Sequence, residues 1–171
     1  MLTKKMEAAL NQQVAMEAES SMTYLSMASW VENQPGLDGI TAFFYEQSDE
    51  ERVHMLKLLK FINERGGHGI SPGIPQPRLD FASVTDIFDH FVHSELKVSA
   101  SIHELVALSL EEKDFATHNF LQWYVTEQME EEKLARDLRD KLSLIGGDKS
   151  GLYLFDRDIN NLRAAEASPK A

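Results

Sequence analysis

The stretch Gly66-Gly67-His68-Gly69-Ile70-Ser71-Pro72-Gly73-Ile74-Pro75-Gln76-Pro77-Arg78-Leu79-Asp80-Phe81-Ala82 decides the architecture. Four glycines and three prolines in 17 residues exclude both a helix and a central strand. A link of that length inside a compact domain asks for a reason. Reach supplies one. A helix of 28 residues is about 42 Å long, and 17 extended residues span up to about 56 Å. The link can therefore travel the length of a helical bundle, so that the next helix starts at the same end as the one before it.

Working outward from the link, the flanking sequence is helical. Residues 3–33 read as a first helix, with Thr3 as N-cap and Pro35-Gly36 as the stop. Its core stripe is Met6, Leu10, Gln13, Glu17, Ser20, Tyr24, Met27 and Val31, spaced by threes and fours. A second helix runs from about Asp38 to the glycines, with Ile40, Phe43 or Phe44, Gln47, Glu51, His54, Leu58 and Phe61 inward. Beyond the link, a third helix starts at Ser83 and ends near Glu112, and carries Ile87, Phe91, Glu95, Val98, Ile102, Leu105 and Ser109 on one face. A fourth runs from Asp114 or Phe115 to about Leu144, with Leu121, Tyr124, Gln128, Glu131, Ala135, Leu138, Leu142 and Ile145 inward. Glu132 with Arg136, and Asp137 with Lys141, are spaced for pairs on its solvent side. A short helix over 150–161 follows. The expected fold class is all-α: a four-helix bundle with a long crossover between the second and third helices plus a short fifth C-terminal helix. One domain over 1–162, with a flexible tail over 163–171, completes the expectation.

Composition narrows the function. The chain has 171 residues, 43% hydrophobic, enough for one domain with a real core. It contains no cysteine, which excludes disulfides, thiolate zinc sites and cysteine nucleophiles. Net charge is −11, from 28 acids against 17 bases, which argues against nucleic acid as a partner. No segment approaches the roughly 18 apolar residues of a membrane span, and Met1 to Glu7 leads directly into charged helix formers. A soluble, cytoplasmic protein with no membrane partner is expected.

The informative feature is where the acids fall. Each long helix places a glutamate near its midpoint on the stripe that the other residues mark as core: Glu17, Glu51, Glu95 and Glu131. Glu51 and His54 are three apart and project from adjacent turns of one face. Burying an unpartnered carboxylate costs several kcal/mol, and no Lys or Arg lies on any of the four stripes to offset it. A divalent metal can neutralise the cluster. Oxygen ligands with a single imidazole suit iron or manganese better than copper. Taken singly, each glutamate reads as solvated surface and His54 as a core histidine; four acids in register with one correctly spaced histidine do not.

These residues carry a family resemblance. The chain resembles the bacterial non-haem ferritins over nearly its full length. The likeness is specific at Glu17 with Ser20-Ser21 and Tyr24, at Glu50-Glu51-Arg52-Val53-His54, at Glu95, and across Asn119 to Gln128. It continues through Glu130-Glu131-Glu132-Lys133-Leu134, Asp140 to Leu144 and Gly151-Leu152-Tyr153. The resemblance implies a ferroxidase centre that oxidises Fe(II) with dioxygen or peroxide and deposits ferric oxyhydroxide in a hollow homo-oligomeric shell of twenty-four subunits. It implies a first iron on Glu17, Glu51 and His54, and a second on Glu51, Glu95 and Glu131, with Glu51 bridging and Gln128 nearby. Tyr24 matches a tyrosine that hydrogen-bonds a ligand glutamate, Glu95, and Trp123 an aromatic beside the site. Glu50, Glu127 and Glu130 match a third iron position.

The sub-family follows from two departures. Haem-binding relatives carry a second Glu-x-x-His on the fourth helix, where this chain reads Gln128-Met129-Glu130-Glu131, and a haem-ligating Met where it has Arg52. No haem is expected. The positions that match the pore acids of animal ferritins are His118 and Leu121, so the route of iron is left unassigned. Exposed apolar residues such as Trp30 and the short last helix hint at assembly. Two other classes stay open: a small di-iron oxidase of the rubrerythrin kind, disfavoured by the absence of Cys-x-x-Cys, and a structural bundle whose acids lie on the surface.

Overall fold

The computed structural model describes the backbone of residues 1–166 and the side chains of 1–161. Five helices follow one another: α1 (Lys4–Glu32), α2 (Asp38–Glu64), α3 (Val84–Glu111), α4 (Phe115–Ile145) and α5 (Lys149–Glu166). Thr3, Ser83 and Asp114 each cap a helix by accepting a backbone N–H, from Met6, Asp86 and Thr117. Helix α5 continues past the end expected near Asn161; the rest of the expected tail, 167–171, lies outside the described residues.

α1 pairs with α2, α3 pairs with α4, and α1 packs on α3. Phe88 of α3 lies 6.2 Å from Phe43 and 5.2 Å from Phe44, near the start of α2, so α2 and α3 begin at the same end. The crossover is extended but not loose. It runs along α1: Asn11 donates to His68 O at 3.0 Å and accepts from Ile70 N at 2.8 Å, and fifteen residues later Ser26 donates to Arg78 O at 2.6 Å. These side chains satisfy link backbone that no ladder reaches. Gly69 is required where the link leaves α2, because a Cβ there would lie 2.9 Å from Leu59 O.

Helix α5 closes one end of the bundle. The N-cap of α2 is Leu37, which has no side-chain cap. Asp156 of α5 takes that part, accepting from Gly39 N at 3.1 Å and Ile40 N at 2.8 Å. A Cβ at Gly39 would sit 1.8 Å from Asp156 O, so the close approach needs glycine. At the other end Arg65 Nη2 donates to both carboxylate oxygens of Asp114, at 3.0 and 3.2 Å, joining the end of α2 to the start of α4.

Three expectations about side chains change. Phe61 is only partly buried, because it stacks on Phe120 at 3.7 Å, and Ile62 fills the core instead. Trp30 is not an exposed apolar patch: it packs against the core, edge-on to Phe81 at 5.9 Å. Glu132 holds Arg136 at 2.7 Å as spaced, while Asp137 meets Lys133, one turn earlier.

The core divides in two. One cluster, rich in aromatics, contains Tyr24, Phe43, Phe44, Phe88 and Phe91. The other, mostly aliphatic, contains Met6, Leu10, Leu58, Ile102 and Leu121. Between them lies a belt of buried polar side chains: Gln13, Glu17, Ser20, Gln47, Glu51, His54, Glu95, Ser99, Gln128 and Glu131.

Candidate metal centre

All four mid-helix glutamates are in the interior. Glu17 and Glu95 are 0% exposed, Glu51 2%, His54 4% and Glu131 8%. That burial removes the reading in which the acids are solvated surface. Oxygen atoms of Glu17 and Glu51 and a ring nitrogen of His54 all lie within 4.8 Å of one another, close enough to share one ion. Glu95 and Glu131 stand outside that triad, on α3 and α4, yet their charges bear on Glu51.

The triad is not satisfied by the protein. Glu17 Oε2, Glu51 Oε2 and His54 Nδ1 are buried with no hydrogen-bond partner. His54 Nδ1 lies 3.3 Å from Glu51 Oε2, but the two are not aligned to bond. Native interiors rarely leave such atoms alone. Three lone-pair donors turned on one region fit a hard divalent cation.

The remaining atoms are held by neighbours. Gln13 Nε2 donates to Glu17 Oε1 at 2.9 Å, and Ser101 donates to Gln13 Oε1 at 2.5 Å. Tyr24 donates a very short hydrogen bond to Glu95. Gln128 Nε2 donates to the other oxygen of Glu95 at 3.1 Å. Tyr124 donates to His54 O at 2.8 Å. Gln13, Ser101 and Tyr124 had no assigned role at the sequence level, although Gln13 was visible as a polar break in an apolar stripe. Ser101 gives no such signal, since it lies off the stripe of α3.

Electrostatics repeat the message. Burial pushes the carboxyls of Glu17 and Glu51 up from the ordinary glutamate range, and for Glu51 the neighbouring glutamates add to it. Burial raises Glu95 to about 7 against the pull of its hydrogen bonds from Tyr24 and Gln128. Tyr24 is pushed well above the usual phenol range, by burial first and Glu95 next, so it stays a proton-bearing donor.

The flank formed by α2 and α4 is acidic. Glu127 Oε1 lies 3.9 Å from His54 Nε2, and its carboxyl is raised by burial, with Glu130 and Glu50 contributing. Glu50 accepts from Gln47 Nε2 at 3.2 Å. Trp123 stands edge-on to His54 at 5.2 Å, with Lys57 Nζ 3.1 Å from its ring centroid. Leu121, matched to a pore acid by position, is fully buried in the aliphatic cluster and lines no surface.

Comparison with known proteins gives the family. The model of the ferritin-like domain matches residues 7–145, and the chain belongs to that family. It is 42% identical over 162 residues to a bacterial non-heme ferritin of Campylobacter jejuni, covering 95% of this chain and 96% of the relative. It is 39% identical to a probable bacterial non-heme ferritin-like protein of Haemophilus influenzae, covering 95% and 98%. Among solved structures, an open pore ferritin from the archaeon Archaeoglobus fulgidus superposes with a TM-score of 0.90 at 42% identity, covering 93% and 98%. Among the described residues no helix is long and apolar enough to cross a membrane.

Proposed function

We propose that this chain is the subunit of an iron-storage shell and oxidises Fe(II) at a paired site inside its own bundle. The observation that carries the reading is the buried, unsatisfied triad of Glu17, Glu51 and His54. Fe(II) is the substrate. One ion takes Glu17, Glu51 and His54; the second takes Glu51, Glu95 and Glu131, with Glu51 bridging and Gln128 orienting Glu95. Tyr24 positions Glu95 and touches no iron. Glu50, Glu127 and Glu130 hold a third ion on its way between the pair and the shell interior.

The pairing suits the chemistry. Each Fe(II) gives one electron, and one peroxide takes both, its O–O bond breaking to leave both oxygens at the level of water. Dioxygen takes the same two electrons from the pair and leaves as peroxide. Carboxylates favour Fe(III) over Fe(II), so the ligand set drives the step. The ferric ions then hydrolyse, release protons and join a ferric oxyhydroxide mineral. Storage requires an interior, and membership of the ferritin family supports twenty-four copies in a hollow shell working in the cytoplasm.

Anaerobic addition of Fe(II) followed by air or peroxide tests the site. The wild type should oxidise iron far faster than Glu17→Ala with His54→Ala, which should fall to the rate of iron in buffer. Equal rates would sink the assignment. Native mass tests the shell: a dimer instead of a large closed particle would favour a small di-iron oxidase.

A further inference from the structure

The acidic flank of Glu50, Glu127 and Glu130 lies on the α2 and α4 side of the bundle. On the opposite side, in the seam between α1 and α3, is a second polar feature: a pocket of about 230 Å³ lined by Met16, Glu19, Ser20, Thr23, His90, His93, Ser94, Lys97 and Val98. Two observations tie it to the carboxylates. Its deepest residues are Ser20, 7% exposed, and Val98, 1% exposed. Each lies three residues, one helical turn, from a proposed ligand: Ser20 from Glu17, and Val98 from Glu95. The seam is pinned on either side, by Ser101 to Gln13 to Glu17 and by Tyr24 to Glu95. Between those pins no hydrogen bond crosses from α1 to α3 among the described residues, and none takes up the hydroxyl of Ser20.

We infer that this pocket is where a small neutral oxidant enters each subunit, on the face opposite the acids that handle iron. The inference rests on the ferroxidase reading above. The charge of the pocket suits a neutral traveller better than iron. At the mouth the Lys97 ammonium offsets the single carboxylate of Glu19, so the pocket has none of the net negative charge that draws a dication to the acidic flank. Hydrogen peroxide and dioxygen carry no charge. The hydroxyls of Thr23 and Ser94 offer donors and acceptors that suit peroxide in particular. Separate inlets let iron load from one face while oxidant arrives from the other.

The test fills the seam without touching a ligand. Ser20→Leu and Ser94→Leu narrow the pocket at its floor and at its wall, and Ser20→Ala keeps it open. Each is loaded anaerobically with two Fe(II) per subunit, then mixed in a stopped-flow instrument with peroxide or with oxygenated buffer. Both leucine variants should oxidise the loaded iron at least about tenfold more slowly, and Ser20→Ala within about twofold of wild type, as gating of access predicts. Anaerobic Fe(II) binding, in rate and stoichiometry, should not change, which separates blocked access from a distorted site. Slowing with peroxide alone, or with both oxidants, identifies which traveller uses the inlet. Unchanged oxidation in both leucine variants overturns the inference, as does slowed Fe(II) loading in their place. A wild type that binds no iron would instead remove the ferroxidase reading.

Discussion

The aromatic half of the core and the carboxylate belt beside it are built on the same helices, one turn apart, and they are stabilised in opposite ways. Around Phe91, neighbouring rings fill the space edge-on: Tyr24 at 5.2 Å, Phe44 at 5.6 Å and Phe43 at 5.7 Å. Nothing there is unsatisfied, and burial itself is the favourable contribution. One turn on, Glu95 is just as buried, and its burial is a cost that hydrogen bonds from Tyr24 and Gln128 only partly offset. The difference teaches that one half of this interior is organised for the fold and the belt for a ligand the fold alone does not need.

The largest effect should come from the apolar side. Phe91→Ala removes a ring that touches four aromatic neighbours and should cost about 3–5 kcal/mol of stability. Folded subunits of this variant should still bind Fe(II) in the wild-type ratio, because no ligand has moved. Chemical denaturation with iron titration of the folded fraction checks both. A variant that keeps its stability, or that loses iron in proportion to nothing else, would break the division between the two regions.

Next comes the reverse experiment. Glu51→Gln keeps the volume of the proposed bridging ligand and removes its charge. Iron oxidation should fall on the order of a hundredfold, equivalent to about 3 kcal/mol of barrier. The iron-free protein at pH 8 should be at least as stable as wild type, since a buried anion has gone. Stopped-flow rates and thermal melts of the metal-free protein measure the two arms.

Glu95 sharpens the same comparison through pH. Its carboxyl is raised from 4.5 to about 7 in the folded chain. Below about pH 4.5 it is protonated folded or unfolded, and the preference for the neutral form contributes fully. As pH rises to 7 the unfolded chain releases that proton first, so the contribution of Glu95 to apo stability is lost across the window. This is the opposite of a salt-bridged carboxylate. Glu95→Gln, which stays neutral, should therefore melt higher than wild type at pH 8 and show no such advantage at pH 4.5. Iron reverses the trend: ligands must lose their protons to bind, so affinity should rise with pH up to about 7 and calorimetry in buffers of different ionisation heat should show proton release. A pH-independent affinity would mean that Glu95 is not a ligand.

Legibility in the sequence followed this same division. The apolar stripes, the caps at Thr3 and Ser83 and the breaker-rich crossover all leave local signals, and the helices formed where those signals lie. The four glutamates were legible because each interrupts an apolar period, and burial then brought Glu17 and Glu51 to His54. What was not legible depends on the packing of distant segments. Ser101 meets Gln13 across 88 positions, and Asp156 caps α2 across 116. The end of the α2 stripe at Ile62, and the packing of partly buried Trp30 against Phe81, depend on how neighbouring segments pack, which periodicity does not resolve.

The smallest effect tests the edge of the belt, where the two rules meet. Lys57 is a half-buried lysine whose ammonium rests 3.1 Å from the centre of the Trp123 ring, while that ring stands edge-on to His54. Burial lowers its pKa, and the Glu127 carboxylate acts the other way. The contact is therefore a partly buried cation on a ring face, with the charge of Glu127 acting on it. A double-mutant cycle of Lys57→Met with Trp123→Phe should give a coupling of about 0.5–1 kcal/mol, read from denaturation midpoints of the iron-free protein. Filling the proposed third iron position at Glu127 would add positive charge near the ammonium, so iron beyond two per subunit should weaken the contact and change the fluorescence of Trp123 in wild type but not in Lys57→Met. A cycle that sums to zero would leave Lys57 as a surface side chain lying on a ring by packing alone, and the belt would then end at His54.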